Sequence, residues 1–196
     1  ETFHGIALAR FVRAAGGAIE LRARSRRTFG QRIEERLTAW LARTWPDFVA
    51  VHMAWGAINE LTTLTGYRRL AALVDHPVLH ELLDRIVLDE SRHFYFYFKQ
   101  AERRLARPKT ARITRAVIER SWAPVGSGVQ PAAETRFLAE YLFGGRDGRA
   151  AARKVDATIR DLPGFRDLAL LEAWIDRTQT IGRLAAGDWS AAGAKA

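Results

Sequence analysis

Cysteine is absent from the 196-residue sequence. Its absence excludes disulfides, thiolate zinc sites, iron–sulfur ligation and thiol catalysis within this chain. No uninterrupted apolar run approaches the roughly 20 residues that a membrane span needs. No charged-then-apolar leader indicates secretion, so we expect a cytoplasmic protein. What remains is a globular composition, 48% hydrophobic and 27% charged, of a length that suits one domain over residues 1–196.

Lysine is also scarce, because arginine supplies 27 of the 31 basic residues, and the net charge is +9. This balance favours an acidic partner such as an acidic protein, nucleic acid or a lipid surface. The alternative is a set of solvated arginine-rich helix faces. The densest cluster is formed by Arg22, Arg24, Arg26 and Arg27.

Helical periodicity dominates the chain and strand-like alternation is missing, so the predicted fold class is all-α. Two long helices are predicted over 48–74 and 78–105, separated by a break at Asp75-His76-Pro77. The break makes them antiparallel neighbours. The other predicted helices cover 1–15, 31–45, 110–122, 132–143, 149–161 and 165–179. We expect a core over 1–105, C-terminal helices over 110–180 and a frayed tail over 182–196.

Two Glu-x-x-His pairs stand out, Glu1/His4 and Glu90/His93. With 12 Glu and five His in 196 residues, about 0.3 such pairs are expected by chance. Residues three apart share one helix face, so each pair can offer a carboxylate oxygen and an imidazole nitrogen to one metal ion. The alternative is an ordinary surface pair on a charged helix.

Glu60 strengthens the metal interpretation. It lies about as far before the break at residue 76 as Glu90 lies after it, which places both carboxylates roughly 21–24 Å from the turn. Glu60 stands in an apolar stretch, where a buried carboxylate is costly unless it is paired or binds a metal. Pairing with an arginine is the alternative.

Glu1, His4, Glu60, Glu90 and His93 supply five of the six ligands that a carboxylate-bridged di-iron bundle uses. The sixth would be a glutamate on a helix before residue 1. The chain opens on Glu1 rather than Met, and we expect an upstream ligand helix that this sequence does not include. Oxygen and imidazole donors without thiolate suit iron, with manganese possible.

Three segments carry a family resemblance: residues 1–5 (ETFHG), 59–63 (NELTT) and 89–93 (DESRH). They resemble the ligand segments of the soluble, ferritin-like acyl–acyl carrier protein desaturases, also called type 2 fatty acid desaturases. Residues 162–163 and 174–177 resemble that family's closing helices more weakly. The resemblance spans most of the chain and is most specific around Glu90.

The resemblance implies a ferritin-like di-iron bundle that uses O2 and two electrons from a ferredoxin-type donor. It implies a substrate that is a fatty acyl chain on acyl carrier protein, and a homodimer. By position, Glu1, Glu60 and Glu90 would be carboxylate ligands, and His4 and His93 imidazole ligands. Thr63 matches a threonine linked to oxygen activation. Asp89 would orient a ligand histidine.

An acyl chain needs an apolar tunnel beside the metal. The predicted stripe runs along Met53, Gly56, Glu60, Thr63 and Tyr67, where Gly56 and Thr63 would leave space. The Arg22–Arg27 cluster is a predicted docking surface for acidic acyl carrier protein. The remaining histidines, His52, His76 and His80, are predicted to be structural.

Other functions remain open at this point. A ferritin-like oxygenase or oxidase could act on another substrate, since fold does not decide substrate. A metal-free helical binding protein, including a nucleic-acid binder, is the alternative from another class. We expect no nucleic-acid partner, because the basic residues are scattered and no helix-turn-helix pattern is present.

Overall fold

The fold is described from a computed structural model, for residues 2–18, 45–127 and 131–185. These residues form an all-α structure, as the periodicity predicts. The predicted helix over 31–45 and the Arg22–Arg27 cluster lie outside the described residues. The seven helices in the described part are α1 Thr2–Ala14, α2 Pro46–Leu73, α3 Pro77–Leu105, α4 Pro108–Ser121, α5 Ala132–Phe143, α6 Gly145–Ile159 and α7 Leu171–Ala185.

The centre of the structure is the antiparallel pair of α2 and α3, which make the most extensive contact between any two helices. A three-residue break separates them, and Pro77 occupies the first turn of α3. His76 caps this helix, since its Nδ1 accepts a 3.4 Å hydrogen bond from the Leu79 backbone N–H. The predicted helices over 48–74 and 78–105 are therefore confirmed to within two residues at each end.

Helix α1 packs against α3 and runs antiparallel to it. The Phe11 ring meets the His76 ring edge-on, with centroids 4.8 Å apart, near the start of α3. His4, two turns earlier on α1, contacts Glu90 in the middle of α3. The direction of α1 thus brings its only histidine to the height of the Glu90 turn.

Helix α4 lies alongside α2 and runs parallel to it. Thr110 at the start of α4 donates a 2.5 Å hydrogen bond to Asp47 in the first turn of α2. Twelve residues further along each of the two segments, the indole N–H of Trp122 donates a 2.9 Å hydrogen bond to the side-chain oxygen of Asn59. Polar bonds at both ends fix the register of the two helices.

Helix α2 is buried on several faces, which explains why its apolar residues follow no single stripe. Small side chains at Ala50, Ala54 and Ala57 are almost fully buried and allow close approach of neighbouring helices. Helices α4, α5 and α6 also pack against α2. The main core lies between α2, the end of α3, α4, α6 and α7, and includes Ile118, Val155 and Phe165.

The last two helices differ from the sequence prediction. Helix α6 begins at Gly145 rather than 149, and α7 covers Leu171–Ala185 instead of 165–179. Residues 160–170 form turns, because Gly164 adopts φ +85° and the Asp156 carboxylate accepts the backbone N–H groups of Leu170 and Leu171 at 3.1 and 3.0 Å. This carboxylate caps α7 from another helix and fixes its start.

The tail was predicted to begin at residue 182, whereas α7 continues to Ala185. The remainder of the predicted tail lies outside the described residues. Within the described ranges, no helix combines the length and apolar character needed to cross a membrane.

Candidate metal centre

Three helices bring together four side chains of the types that can bind metals. His4 comes from α1, Glu60 from the middle of α2, and Glu90 and His93 from successive turns of α3. Suitable donor atoms of Glu60, Glu90 and His93 all lie within 4.8 Å of one another. The predicted convergence of Glu60 with the Glu90 pair is confirmed, and it follows from the antiparallel packing of α2 and α3.

Glu90 lies at the centre of the cluster and is only 1% exposed. Its Oε1 is 3.0 Å from His4 Nδ1, and its Oε2 is 3.2 Å from His93 Nδ1. The same His93 nitrogen lies 3.7 Å from Glu60 Oε2. The two oxygens of one carboxylate therefore face two different sets of side chains, His4 on one side and His93 with Glu60 on the other.

Glu60 shares a hydrogen bond with Glu90, so the two carboxyls interact directly. Burial alone would raise the pKa of Glu90. Hydrogen bonds to Glu60 and His93, together with charge interactions with His4 and His93, outweigh burial and hold this pKa below its usual 4.5. Glu90 is consequently anionic at neutral pH, the form in which a carboxylate binds a metal.

Solvent reaches the cluster unequally. The side chains of Glu60 and His4 are each 13% exposed, whereas the His93 side chain is 46% exposed. The site therefore has a buried side at Glu60, Glu90 and His4, and a solvent-accessible side at His93. Burial strengthens the electrostatic attraction for a cation on the buried side.

Asp89 lies beside the cluster rather than within it. Its Oδ2 is 3.6 Å from His4 Nε2, an ion-pair distance that is too long for a hydrogen bond. Its Oδ1 accepts a 3.3 Å hydrogen bond from the Arg92 guanidinium. This position on the far nitrogen of His4 suits the predicted orienting role, which stays a prediction.

The other predicted site residues have different outcomes. Glu1 lies outside the described residues. Thr63 lies one turn after Glu60 on α2 and lines an apolar cavity, whose lining includes no residue of the cluster. His80 donates a 2.9 Å hydrogen bond to the Val74 carbonyl, and the His52 ring contacts Tyr97. With the capping role of His76, these contacts agree with the structural roles predicted for the three histidines.

The cavity has a volume of about 680 Å³ and lies between α2, α5 and the segment that follows α4. It begins beside Thr63 and continues along Gly66, Tyr67 and Leu70 on one face of α2. Its opposite wall includes Phe137 and Tyr141 of α5, whose rings stack with centroids 5.6 Å apart. The side chains that line it are mainly apolar and none is charged.

The predicted tunnel stripe is correct only in its second half. Thr63 and Tyr67 line the cavity, but Met53 and Gly56 do not. The space beside Gly56 is filled by Tyr97, because a Cβ built on Gly56 would lie 2.5 Å from the Tyr97 ring. A sequence stripe cannot reveal which aromatic ring from a neighbouring helix enters a gap that glycine leaves.

Sequence reasoning missed Asn59 and Trp122, whose hydrogen bond links the Glu60 turn to the cavity wall. The residues are 63 positions apart in the chain, so no local pattern joins them. The only sequence signal was an amide next to a predicted ligand in an apolar helix.

Comparison of the chain with models of protein families, with curated proteins and with solved structures finds no match.

Proposed function

We propose that this protein is a ferritin-like di-metal oxidoreductase that uses O2 to desaturate a fatty acyl chain held on acyl carrier protein. The observation that carries the proposal is the Glu90 carboxylate, buried between His4 on one oxygen and His93 on the other. The resemblance of the ligand segments to the acyl–acyl carrier protein desaturases supplies the reaction class.

The donor chemistry of the cluster suits iron. Glu60, Glu90 and His93 would hold the metal, with His4 beside Glu90 as a further imidazole donor. When both of these adjacent carboxyls are ionised, their negative charges repel each other, and a divalent cation between them would neutralise that repulsion. Hard oxygen and imidazole donors without sulfur suit iron and manganese.

Bound iron would supply the redox chemistry, in which O2 accepts two electrons from the donor and two from the substrate. Together with two protons from solvent and two hydrogens from adjacent carbons, it yields two waters and a double bond. Glu60, Glu90 and the two histidines would hold the metal in the bundle. Asp89, whose Oδ2 lies 3.6 Å from His4 Nε2, would restrain the His4 ring.

The apolar cavity supports a hydrocarbon substrate. It begins at Thr63, one helical turn from Glu60, so a chain lying along α2 would pass close to the metal-binding side chains. Because no charged side chain lines the cavity, it favours an uncharged occupant such as a hydrocarbon chain. Acyl carrier protein, a ferredoxin-type electron donor and a second copy of the chain are the proposed partners.

The first test is the metal content of the purified chain after iron is offered under anaerobic conditions. We expect about two ions per chain. Glu90→Gln should lose most of this metal while keeping its helical circular dichroism. Glu81→Gln is the matched control, because Glu81 lies on the same helix and pairs only with the exposed Arg85. Wild-type protein that stays metal-free and folded would contradict the proposal.

The reaction itself is tested with an acyl chain on acyl carrier protein, O2 and a reduced ferredoxin. Mass spectrometry should show the loss of two hydrogens from the chain. Gain of one oxygen atom would instead indicate an oxygenase in the same fold. Absence of either product from a metal-loaded chain would contradict acyl oxidation, and would leave only the metal site supported.

A further inference from the structure

Trp122 occupies an unusual position at the end of α4. Its side chain is 5% exposed, and its indole N–H donates a 2.9 Å hydrogen bond to the Asn59 side chain on α2. Asn59 immediately precedes Glu60. The bond therefore joins α4 to the one turn of α2 that carries a metal-binding side chain.

Trp122 also begins the segment that walls the apolar cavity. Pro124, Val125, Gly126 and Ser127 all line that cavity. The segment is a tight turn, because the Ser127 backbone N–H donates a 3.0 Å hydrogen bond to the Pro124 carbonyl. A cavity occupant that displaces this turn would also displace Trp122, which lies two residues before Pro124 in the chain.

From these contacts we propose that Trp122 is a positioning residue. Through Asn59 it sets the rotation of α2 at Glu60, and it transmits filling of the apolar cavity to the metal centre. This inference rests on the proposed function, since it requires metal at Glu60, Glu90 and His93.

The physical basis is the angular geometry of a helix. Successive residues are separated by about 100°, so a small rotation of α2 moves the Glu60 carboxylate away from Glu90 and His93. Apolar contacts alone resist such a rotation weakly, because they have little directional preference. A buried N–H that would lose its acceptor resists it more strongly, because an unsatisfied buried donor costs about 1–3 kcal/mol.

The test uses the full chain loaded with Co(II), whose visible absorption reports ligand geometry without turnover. The cavity probe is n-dodecanol, an uncharged apolar chain. We expect n-dodecanol to shift the Co(II) bands of the wild type. Trp122→Phe should bind Co(II) about tenfold more weakly, which is the lower end of the loss seen when groups that orient metal ligands are removed, and its bands should not shift.

Trp45→Phe is the matched control. The Trp45 indole N–H also donates to a side chain of α2, at 3.3 Å to Asp47. Asp47 lies about 20 Å along the helix from Glu60. This variant should keep the wild-type Co(II) affinity and the full response to n-dodecanol.

Asn59→Leu removes the same hydrogen bond from the other side and carries the test if Trp122→Phe does not fold. The double variant should be no worse than either single variant, since both delete one interaction. Three outcomes would each overturn the inference. The first is fully additive losses in the double variant, the second is wild-type affinity and band shift in Trp122→Phe, and the third is no band shift in the wild type. A wild type that binds no Co(II) would overturn the proposed function and this inference together, whereas the other outcomes leave the metal site standing.

Discussion

Glu90 and Asp156 are the two carboxylates that the described residues bury most deeply, each 1% exposed. Their surroundings differ completely. Asp156 accepts three backbone N–H groups at the start of α7, from Leu170, Leu171 and Glu172, at 3.0–3.1 Å. Glu90 meets a second carboxyl and two imidazoles.

This contrast shows that burial of a carboxylate does not by itself identify a functional site. The partners of Asp156 are backbone donors that the fold must satisfy in any case, so its charge is compensated within the structure. The partners of Glu90 are side chains of types that can bind metals. Two of the groups in the cluster, the carboxyls of Glu60 and Glu90, repel each other when both are ionised. One carboxylate completes the fold, and the other lies in a group of side chains that could hold a metal ion.

Asp156→Ala should produce the largest effect on stability. It leaves three N–H groups at the first turn of α7 without their acceptor, and we expect the free energy of unfolding to fall by about 3 kcal/mol. Urea denaturation of the metal-free chain measures this loss. Metal bound per folded chain should not change, because Asp156 lies outside the cluster.

Asp161→Ala is the control for Asp156, since Asp161 is exposed at the end of the same helical region. Asp156→Asn should lose only about 1 kcal/mol, because its remaining oxygen can still accept the Leu170 and Leu171 N–H groups. Equal losses in all three variants would mean that the cap does not determine where α7 begins.

Metal addition should stabilise the wild type and leave Glu90→Gln almost unchanged. At a free metal concentration of 100 times Kd, binding to the folded state alone adds about 2.7 kcal/mol to the free energy of unfolding. Asp156→Asn should gain the same increment from its lower starting point. Thermal unfolding with and without metal provides the comparison, and a metal response in Glu90→Gln equal to that of the wild type would remove Glu90 from the site.

The sequence predicted the convergence of Glu60 with Glu90 and His93 better than it predicted the C-terminal helices. Glu60 and Glu90 could be matched in height because one short break and the constant rise of a helix determine their relation. The start of α7 could not be predicted this way, because Phe165 and Leu168 follow an apolar pattern that suits a helix. Their backbone instead forms turns that depend on Asp156, a contact between distant residues.

The sequence did not predict the opposite wall of the cavity, for a similar reason. The stripe on α2 gave Thr63 and Tyr67 correctly, because they share a helix face with Glu60. The opposite wall comes from α5 and from the turn after Trp122, and its position depends on packing between elements that no local spacing records.

Two glycines of α2 repeat the contrast between a filled and an open position, and the open position has the smallest expected effect. A Cβ on Gly66 would meet only Leu142, at an ordinary 3.6 Å, whereas one on Gly56 would meet the Tyr97 ring at 2.5 Å. Gly66→Ala should raise the free energy of unfolding by about 0.5–1 kcal/mol through helix propensity. It should also weaken binding of n-dodecanol, because Gly66 lines the cavity.

Gly56→Ala should lower stability by about 1–3 kcal/mol, since Tyr97 must move. Urea denaturation and n-dodecanol titration of both variants test the pair, and destabilisation by Gly66→Ala would show that the cavity floor has no room even for a methyl group.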